Sequence, residues 1–256
     1  MADQIFNDSI AISTFRRPKK LNDTLTVLIS TKISLLLEIV VVWNNIGETP
    51  PESFISEHGV KVRYRASARN SLNEKFIVDP AYQTRAILLS DDDVYLQPSD
   101  LEFAFQMWRE FGQNRITGVL ARCCSLSSST KAWDYNFCEN GEFYNLVLTN
   151  LAFVDVAYLE YYSSQDADMV QIRDYTDKVF NCEDLALNFV VSRLTCSGPL
   201  LIRGHEAHVN YDPKSGLSRN PNHMDTRSKC LNEFSKILGV MPLVEQSGRA
   251  VRGLDT

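Results

Sequence analysis

The segment Ala86-Ile87-Leu88-Leu89-Ser90-Asp91-Asp92-Asp93 constrains this chain more than any other. A short uninterrupted apolar run reads as a strand buried on both faces, the habit of a mainly parallel sheet covered by helices. Three consecutive carboxylates repel one another, so a plain fold gains little from them. At the carboxyl end of a buried strand they stand where open α/β sheets bind ligands. A divalent cation takes hard oxygen donors and can bridge such carboxylates to a diphosphate. The competing reading is an acidic turn in solvent, and the apolar run before the triplet tips the balance toward a site.

The remaining pattern agrees with that strand. Apolar runs predict strands over 10–15, 38–43, 60–64 and 86–90, and Pro18 suits the first turn of a helix reaching about Ser30. A helix is expected from Ser99, with Ser99 as N-cap and Glu102 closing a capping box. Further along, 117–121 reads as a strand, 123–142 as a loop excursion and 144–153 as extended. Asn181 is expected to cap a helix through about Ser192, with Asp184 at its third position. A last helix is expected over 221–238, stopped by Gly239. Repeated strand–helix units give an α/β fold with a mainly parallel twisted sheet flanked by helices. With no repeat or composition break, 1–256 reads as one domain. Its nucleotide-binding half covers about 8–122 and its acceptor-facing half about 123–256.

Composition removes several classes of function. The net charge of −6 is a poor match for sequence-independent nucleic-acid binding, which needs a basic face. The most apolar stretch, 25–43, is broken by Lys32 and Glu38, so no membrane span is expected. Met1-Ala2-Asp3-Gln4 shows no signal peptide, which leaves the cytosol, or an anchor outside these residues. The sequons Asn7-Asp8-Ser9 and Asn22-Asp23-Thr24 permit a secretory route. The cysteines at 123, 124, 138, 182, 196 and 230 form no CxxC pair, which argues against a zinc ribbon. GxxxxGK[ST], GxGxxG and GxSxG are all missing. His205-Glu206-Ala207-His208 is one residue too short for a zincin helix.

Outside the triplet, Asn181-Cys182-Glu183-Asp184 puts two carboxylates at a helix start. By itself this is helix capping. Beside a metal–nucleotide site, Glu183 or Asp184 becomes a candidate base, nucleophile or acceptor ligand. Arg227, on the last helix, could neutralise a leaving diphosphate. Arg16, Arg17, Arg69 and Lys75 each read singly as solvated charges. The amides of Asn44 and Asn45, after Trp43, either read a base or ribose or make an ordinary turn.

These segments, in this order, resemble the exostosin-like glycosyltransferases, glycosyltransferase family 64, over about 11–244. The likeness rests on Ile12-Ser13-Thr14-Phe15-Arg16-Arg17-Pro18, Val40-Val41-Val42-Trp43-Asn44-Asn45 and Leu89-Ser90-Asp91-Asp92-Asp93. It extends through Tyr144-Asn145-Leu146-Val147, Asn181-Cys182-Glu183-Asp184-Leu185-Ala186 and Arg227-Ser228-Lys229-Cys230. The resemblance implies a GT-A domain using Mn2+, with Mg2+ as the alternative, and a UDP-sugar donor. It implies transfer with retention, usually of an N-acetylhexosamine, to a glycan or glycolipid acceptor in α-linkage. Carried over, Asp93 is the metal ligand, and Asp91 and Asp92 meet the ribose and donor sugar. Thr14, Arg17, Asn44 and Asn70 line the uridine and phosphate pocket. Glu183, Asp184 and Arg227 are the catalytic set. The resemblance also implies a Cys182–Cys230 disulfide and a location in the Golgi or endoplasmic reticulum lumen. Lys75 is placed with the cofactor-binding residues, although Glu74-Lys75 departs from the family, which often has an arginine where Lys75 stands; a point charge there replaces a bidentate fork. Two other readings stay open: a non-catalytic sugar-nucleotide or glycan-binding protein, and a metal-dependent nucleotidyltransferase. The sequence does not give the oligomeric state.

Overall fold

The computed structural model describes residues 7–138, 143–211 and 220–253. Its first half alternates strand and helix: β1 (Asp8–Thr14), α1 (Pro18–Ile29), β2 (Leu36–Trp43), β3 (Phe54–Ile55), β4 (Lys61–Ala66), β5 (Ala86–Asp91), β6 (Val94–Tyr95) and α2 (Pro98–Met107). After β7 (Thr117–Gly118) come β8 (Ala121–Leu126), β9 (Trp133–Asn136), β10 (Leu146–Val147) and β11 (Leu151–Asp155). The helices α3 (Val156–Ser163), α4 (Ala167–Val179) and α5 (Glu183–Thr195) follow. β12 (Leu200–Arg203), β13 (Val209–Asn210), α6 (His223–Leu238) and β14 (Arg249–Val251) complete the described chain.

Among the described residues the main sheet runs β14-β12-β7-β11-β5-β1-β2-β4-β3. β1 lies parallel to both β2 and β5, and β2 parallel to β4. β11 enters antiparallel between β5 and β7, so the sheet is mixed but mainly parallel. Successive side chains of a strand point to opposite faces, and this divides the core. Ile10, Ile12 and Leu88 join the cluster under α1 and α2, with Leu25, Leu101, Phe105 and Trp108. Ala11, Ile87 and Leu89 join the cluster under α3 to α6, with Tyr162, Leu185, Phe189 and Phe234. With both faces covered, the apolar runs are continuous rather than alternating. The carboxyl ends of β1, β2, β4 and β5 therefore emerge together along one edge. Among the described residues, no helix is long and apolar enough to cross a membrane.

Several local expectations are corrected. α2 starts at Pro98, not Ser99, because the fixed φ of proline opens the first turn; the Glu102 carboxylate instead accepts the Ser34 N–H at 2.7 Å. Asn181 does not cap α5: Cys182 holds that position and Asp184 falls at the second residue of the helix. The excursion over 123–142 contains the hairpin β8–β9, joined by a Cys123–Cys138 disulfide; residues 139–142 lie outside the described ones. The hairpin is fixed by distant groups, since Asn232 of α6 bonds the N–H of Trp133 at 2.9 Å and its carbonyl at 2.8 Å. The last helix begins at His223 rather than 221 and stops, as expected, at Gly239, whose φ of 69° is left-handed.

One buried group sits at the far end of the sheet. Asp8 is 1% exposed and neither carboxyl oxygen has a partner among the described residues. Burial pushes this carboxyl up to about 7. A folded-state value above the unfolded one stabilises the fold in acid, and the gain is lost as pH rises through about 7. Asp8→Asn is therefore expected to stabilise the fold by roughly 2–3 kcal/mol at pH 8 and to change little at pH 4. Urea titrations at the two pH values check this, and a variant less stable at pH 8 contradicts it.

Candidate active site

The acidic triplet closes a tight turn at the end of β5. Ser90 bridges that turn by donating to the Val94 carbonyl at 2.9 Å. The three carboxylates have different surroundings. Asp92 is fully buried, which sets it apart from the expectation that it meets a donor sugar. It accepts the Thr14 hydroxyl at 2.7 Å and pairs with Arg17 Nη2 at 2.6 Å, while Thr24 holds its carbonyl at 2.8 Å. Burial pushes the Asp92 carboxyl up to about 6, against the pull of Thr14 and Arg17. Asp93 faces Arg17 Nη1 at 2.6 Å and Lys20 Nζ at 3.6 Å. Asp91 is the most open, with 35% of its side chain exposed.

Lys75 connects this turn to the second acidic cluster. A 3-10 turn at Leu72–Lys75 is pinned by Asn73, which accepts the Tyr162 hydroxyl at 2.5 Å and donates to Asp177 at 2.8 Å. The turn sends the buried Lys75 side chain to Asp91, 2.9 Å away. Burial works against its charge, but Asp91, Glu183 and Asp184 outweigh it and hold the amine above its ordinary value.

The second cluster rises from the start of α5. Phe180 and Cys182 both adopt left-handed φ, 49° and 75°. Non-glycine residues there cost on the order of 1 kcal/mol each and persist only where the surroundings fix them. The fixing groups here are the expected Cys182–Cys230 disulfide, which ties the turn to α6, and Asn181, whose amide oxygen accepts the Cys182 N–H at 2.7 Å. The disulfide brings Arg227 of α6 over the helix start. Arg227 donates to Asp184 at 2.9 Å and to the Tyr135 hydroxyl at 3.1 Å, and its Nε donates to His223 at 2.9 Å. Burial opposes the guanidinium charge, but Asp184, Tyr135 and Glu183 more than offset it and raise its value. Burial, then Arg227, hold His223 below the usual imidazole range, which suits its role as acceptor. Glu183 is half-buried, and its carboxylate makes no hydrogen bond among the described residues. Burial first, then Asp184, push its carboxyl up to about 7, while Lys75 and Arg227 pull the other way.

The structure thus gathers Thr14, Arg17, Lys75, Asp91, Asp92, Asp93, Glu183, Asp184 and Arg227 along one edge of the sheet. Asn44, just past the end of β2, donates its side-chain amide to Ser13 at 3.1 Å, and its side-chain oxygen is buried with no hydrogen-bond partner among the described residues. Asn70 is exposed on the loop after β4, with no hydrogen bond to these residues among the described ones. Sequence reasoning missed Lys20, Tyr135 and His223. Lys20 had a signal, three residues after Arg17 in the first turn of the helix that Arg17 precedes. His223 had one too, four residues before Arg227 on α6; Tyr135 had none, since only the hairpin carries it to Arg227.

Among the described residues, no three His, Cys, Asp or Glu side chains stand close enough to hold a metal by themselves. The donor set nevertheless suits a shared ion: Asp91 and Asp93 offer hard oxygens already turned toward positive charge. An ion there would take its remaining ligands from a diphosphate.

The glycosyl transferase family 64 domain model matches residues 9–254. Glucosamine inositolphosphorylceramide transferase 1 of Arabidopsis thaliana is 36% identical over 208 residues, covering 79% of this chain and 26% of that protein. Exostosin-like 2 of Mus musculus is 32% identical over 222 residues, covering 81% of this chain and 66% of the relative. Exostosin-2 of Homo sapiens is 31% identical over 245 residues, covering 93% and 33%. The chain thus spans about a quarter to two thirds of the length of these relatives.

Proposed function

This chain belongs to glycosyl transferase family 64, and we propose that it is a retaining, metal-dependent glycosyltransferase of GT-A architecture. It moves a sugar, an N-acetylhexosamine by family resemblance, from a UDP-sugar to a glycan or glycolipid acceptor in α-linkage. The name of the Arabidopsis relative couples an amino sugar to a ceramide lipid, which supports the glycolipid arm. The observation that carries the reading is Lys75, which joins Asp91 to the Glu183–Asp184 pair at the carboxyl edge of the sheet. A purely structural acidic turn has no use for a buried cation shared with a second acidic cluster.

Asp93, with Asp91 beside it, would hold Mn2+ or Mg2+, and the ion supplies positive charge against the departing diphosphate. Asp92, inside the fold, sets the angle of Arg17 and so of the turn. Arg227 adds a second fixed positive charge, oriented by Asp184, Tyr135 and His223. Glu183 faces the positive charge that develops at the anomeric carbon as the sugar–phosphate bond breaks. The acceptor hydroxyl attacks from the leaving-group side and passes its proton to the departing phosphate oxygen. The two disulfides support an oxidising compartment, in keeping with the Golgi or endoplasmic reticulum lumen.

Calorimetric titration of UDP, with Mn2+ and again with EDTA, tests the donor site. Binding is expected only with Mn2+. No binding under either condition sinks the assignment of Asp91 to Asp93 and favours the non-catalytic glycan-binding reading.

A further inference from the structure

We propose that Arg17 is an exchangeable placeholder for the divalent cation: its guanidinium gives up Asp93 when the ion arrives, pivots on Asp92 and turns to the diphosphate. The proposal rests on the donor-site reading above and adds a device to it. One edge of the guanidinium spans two carboxylates, with Nη2 2.6 Å from Asp92 Oδ1 and Nη1 2.6 Å from Asp93 Oδ2. The two ends of this fork are held unequally. Asp92 is fully buried and fixed by the Thr14 hydroxyl and by Thr24 on its carbonyl. An unpaired charge there would be costly, so this end must keep its partner. Asp93 Oδ2 is different. Arg17 and Lys20 converge on this one oxygen, so it keeps a positive neighbour when Arg17 leaves. Asp93 is also the residue that would hold the ion in the donor-site reading.

Arg17 has room to move, with 36% of its side chain exposed. Its backbone is held from the other side: the preceding Arg16 has a left-handed φ of 54° and donates its N–H to Asn45 at 2.6 Å. The loop is thus fixed while the side chain is not. A planar fork freed at Nη1 and retained at Nη2 presents a donor to phosphate oxygens, the geometry arginine suits best. The triplet then keeps its charge balance before and after loading. The ion replaces a guanidinium at Asp93, and the diphosphate replaces Asp93 as partner of that guanidinium.

The test measures Mn2+ binding to the full chain without nucleotide, from the electron paramagnetic resonance of the free ion, and UDP binding calorimetrically at saturating Mn2+. Arg17→Gln is expected to bind Mn2+ about tenfold more tightly than the parent and UDP about tenfold more weakly. Arg17→Lys cannot span both carboxylates; it should shift both affinities in the same directions by less, and it guards against a folding artefact in the first variant. Unchanged or weaker Mn2+ binding in both variants overturns the exchange. Asp93→Asn separates that failure from failure of the donor-site reading. If Mn2+ binding is lost in Asp93→Asn but unmoved in the Arg17 variants, the site stands and the exchange falls. If Asp93→Asn binds Mn2+ as the parent does, or if no protein binds it with or without UDP, the donor-site reading falls and the exchange with it.

Discussion

Arg227→Met is expected to lower kcat/KM for transfer by about a hundred- to a thousandfold and to destabilise the fold by about 3–5 kcal/mol. Both effects follow from one geometry. Arg227 and Asp184 are 6% and 4% exposed and lie 2.9 Å apart. Removing the guanidinium leaves the buried Asp184 carboxylate, among the described residues, with one hydrogen bond, from the Leu185 N–H at 2.9 Å, and the more distant charge of Lys75. Removing both charges avoids that penalty. The double variant Arg227→Met, Asp184→Asn should therefore recover most of the lost stability while transfer stays low. Denaturation midpoints and steady-state rates on the single and double variants check the pair. A single variant as stable as the parent shows that Asp184 does not depend on Arg227. A double variant that regains transfer shows that Arg227 acts only by holding Asp184, and removes it from the chemistry.

The same pair marks where the sequence stops being readable. The sheet was legible because its central strands are buried on both faces, and β5 ends in carboxylates that a plain strand would not carry. Pro18 and Gly239 mark helix ends through their own backbone preferences, and both stand where expected. The hairpin β8–β9 was not legible. Its strands are short and mostly solvent-accessible, with polar and apolar residues mixed, and they are held by Asn232, about a hundred residues away, and by the Cys123–Cys138 disulfide. α3 and α4 went unassigned although Asp155 and Asp166 cap them, accepting N–H groups at 2.9 and 3.0 Å; that signal was present in the sequence. The candidate residues were found from their types and from family resemblance. Their division of labour was not, because burial decides it: Asp92 and Asp93 are adjacent in sequence and share Arg17, yet the Asp92 side chain is sealed in the fold while Asp93 keeps part of its carboxylate open.

Glu183 should govern the pH dependence of transfer. Its carboxyl is pushed up to about 7, and the proposed role needs the ionised form. Transfer should therefore fall about tenfold per pH unit below about 7 and level off above it. Glu183→Gln should reduce the plateau by about a thousandfold and abolish that limb. Lys75→Met is the sharper probe. The ammonium of Lys75 favours ionised Glu183, so its loss must move the midpoint of the limb upward. Lys75→Arg keeps the charge and should leave the midpoint in place. Lys75→Met also strips Asp91 of its 2.9 Å partner, so donor affinity and KM will change whatever Glu183 does. The position of the limb is the quantity that lost affinity alone does not shift. A limb that persists in Glu183→Gln assigns the ionisation to another group. A midpoint unmoved in Lys75→Met breaks the electrostatic link between the two acidic clusters, on which the proposed site depends.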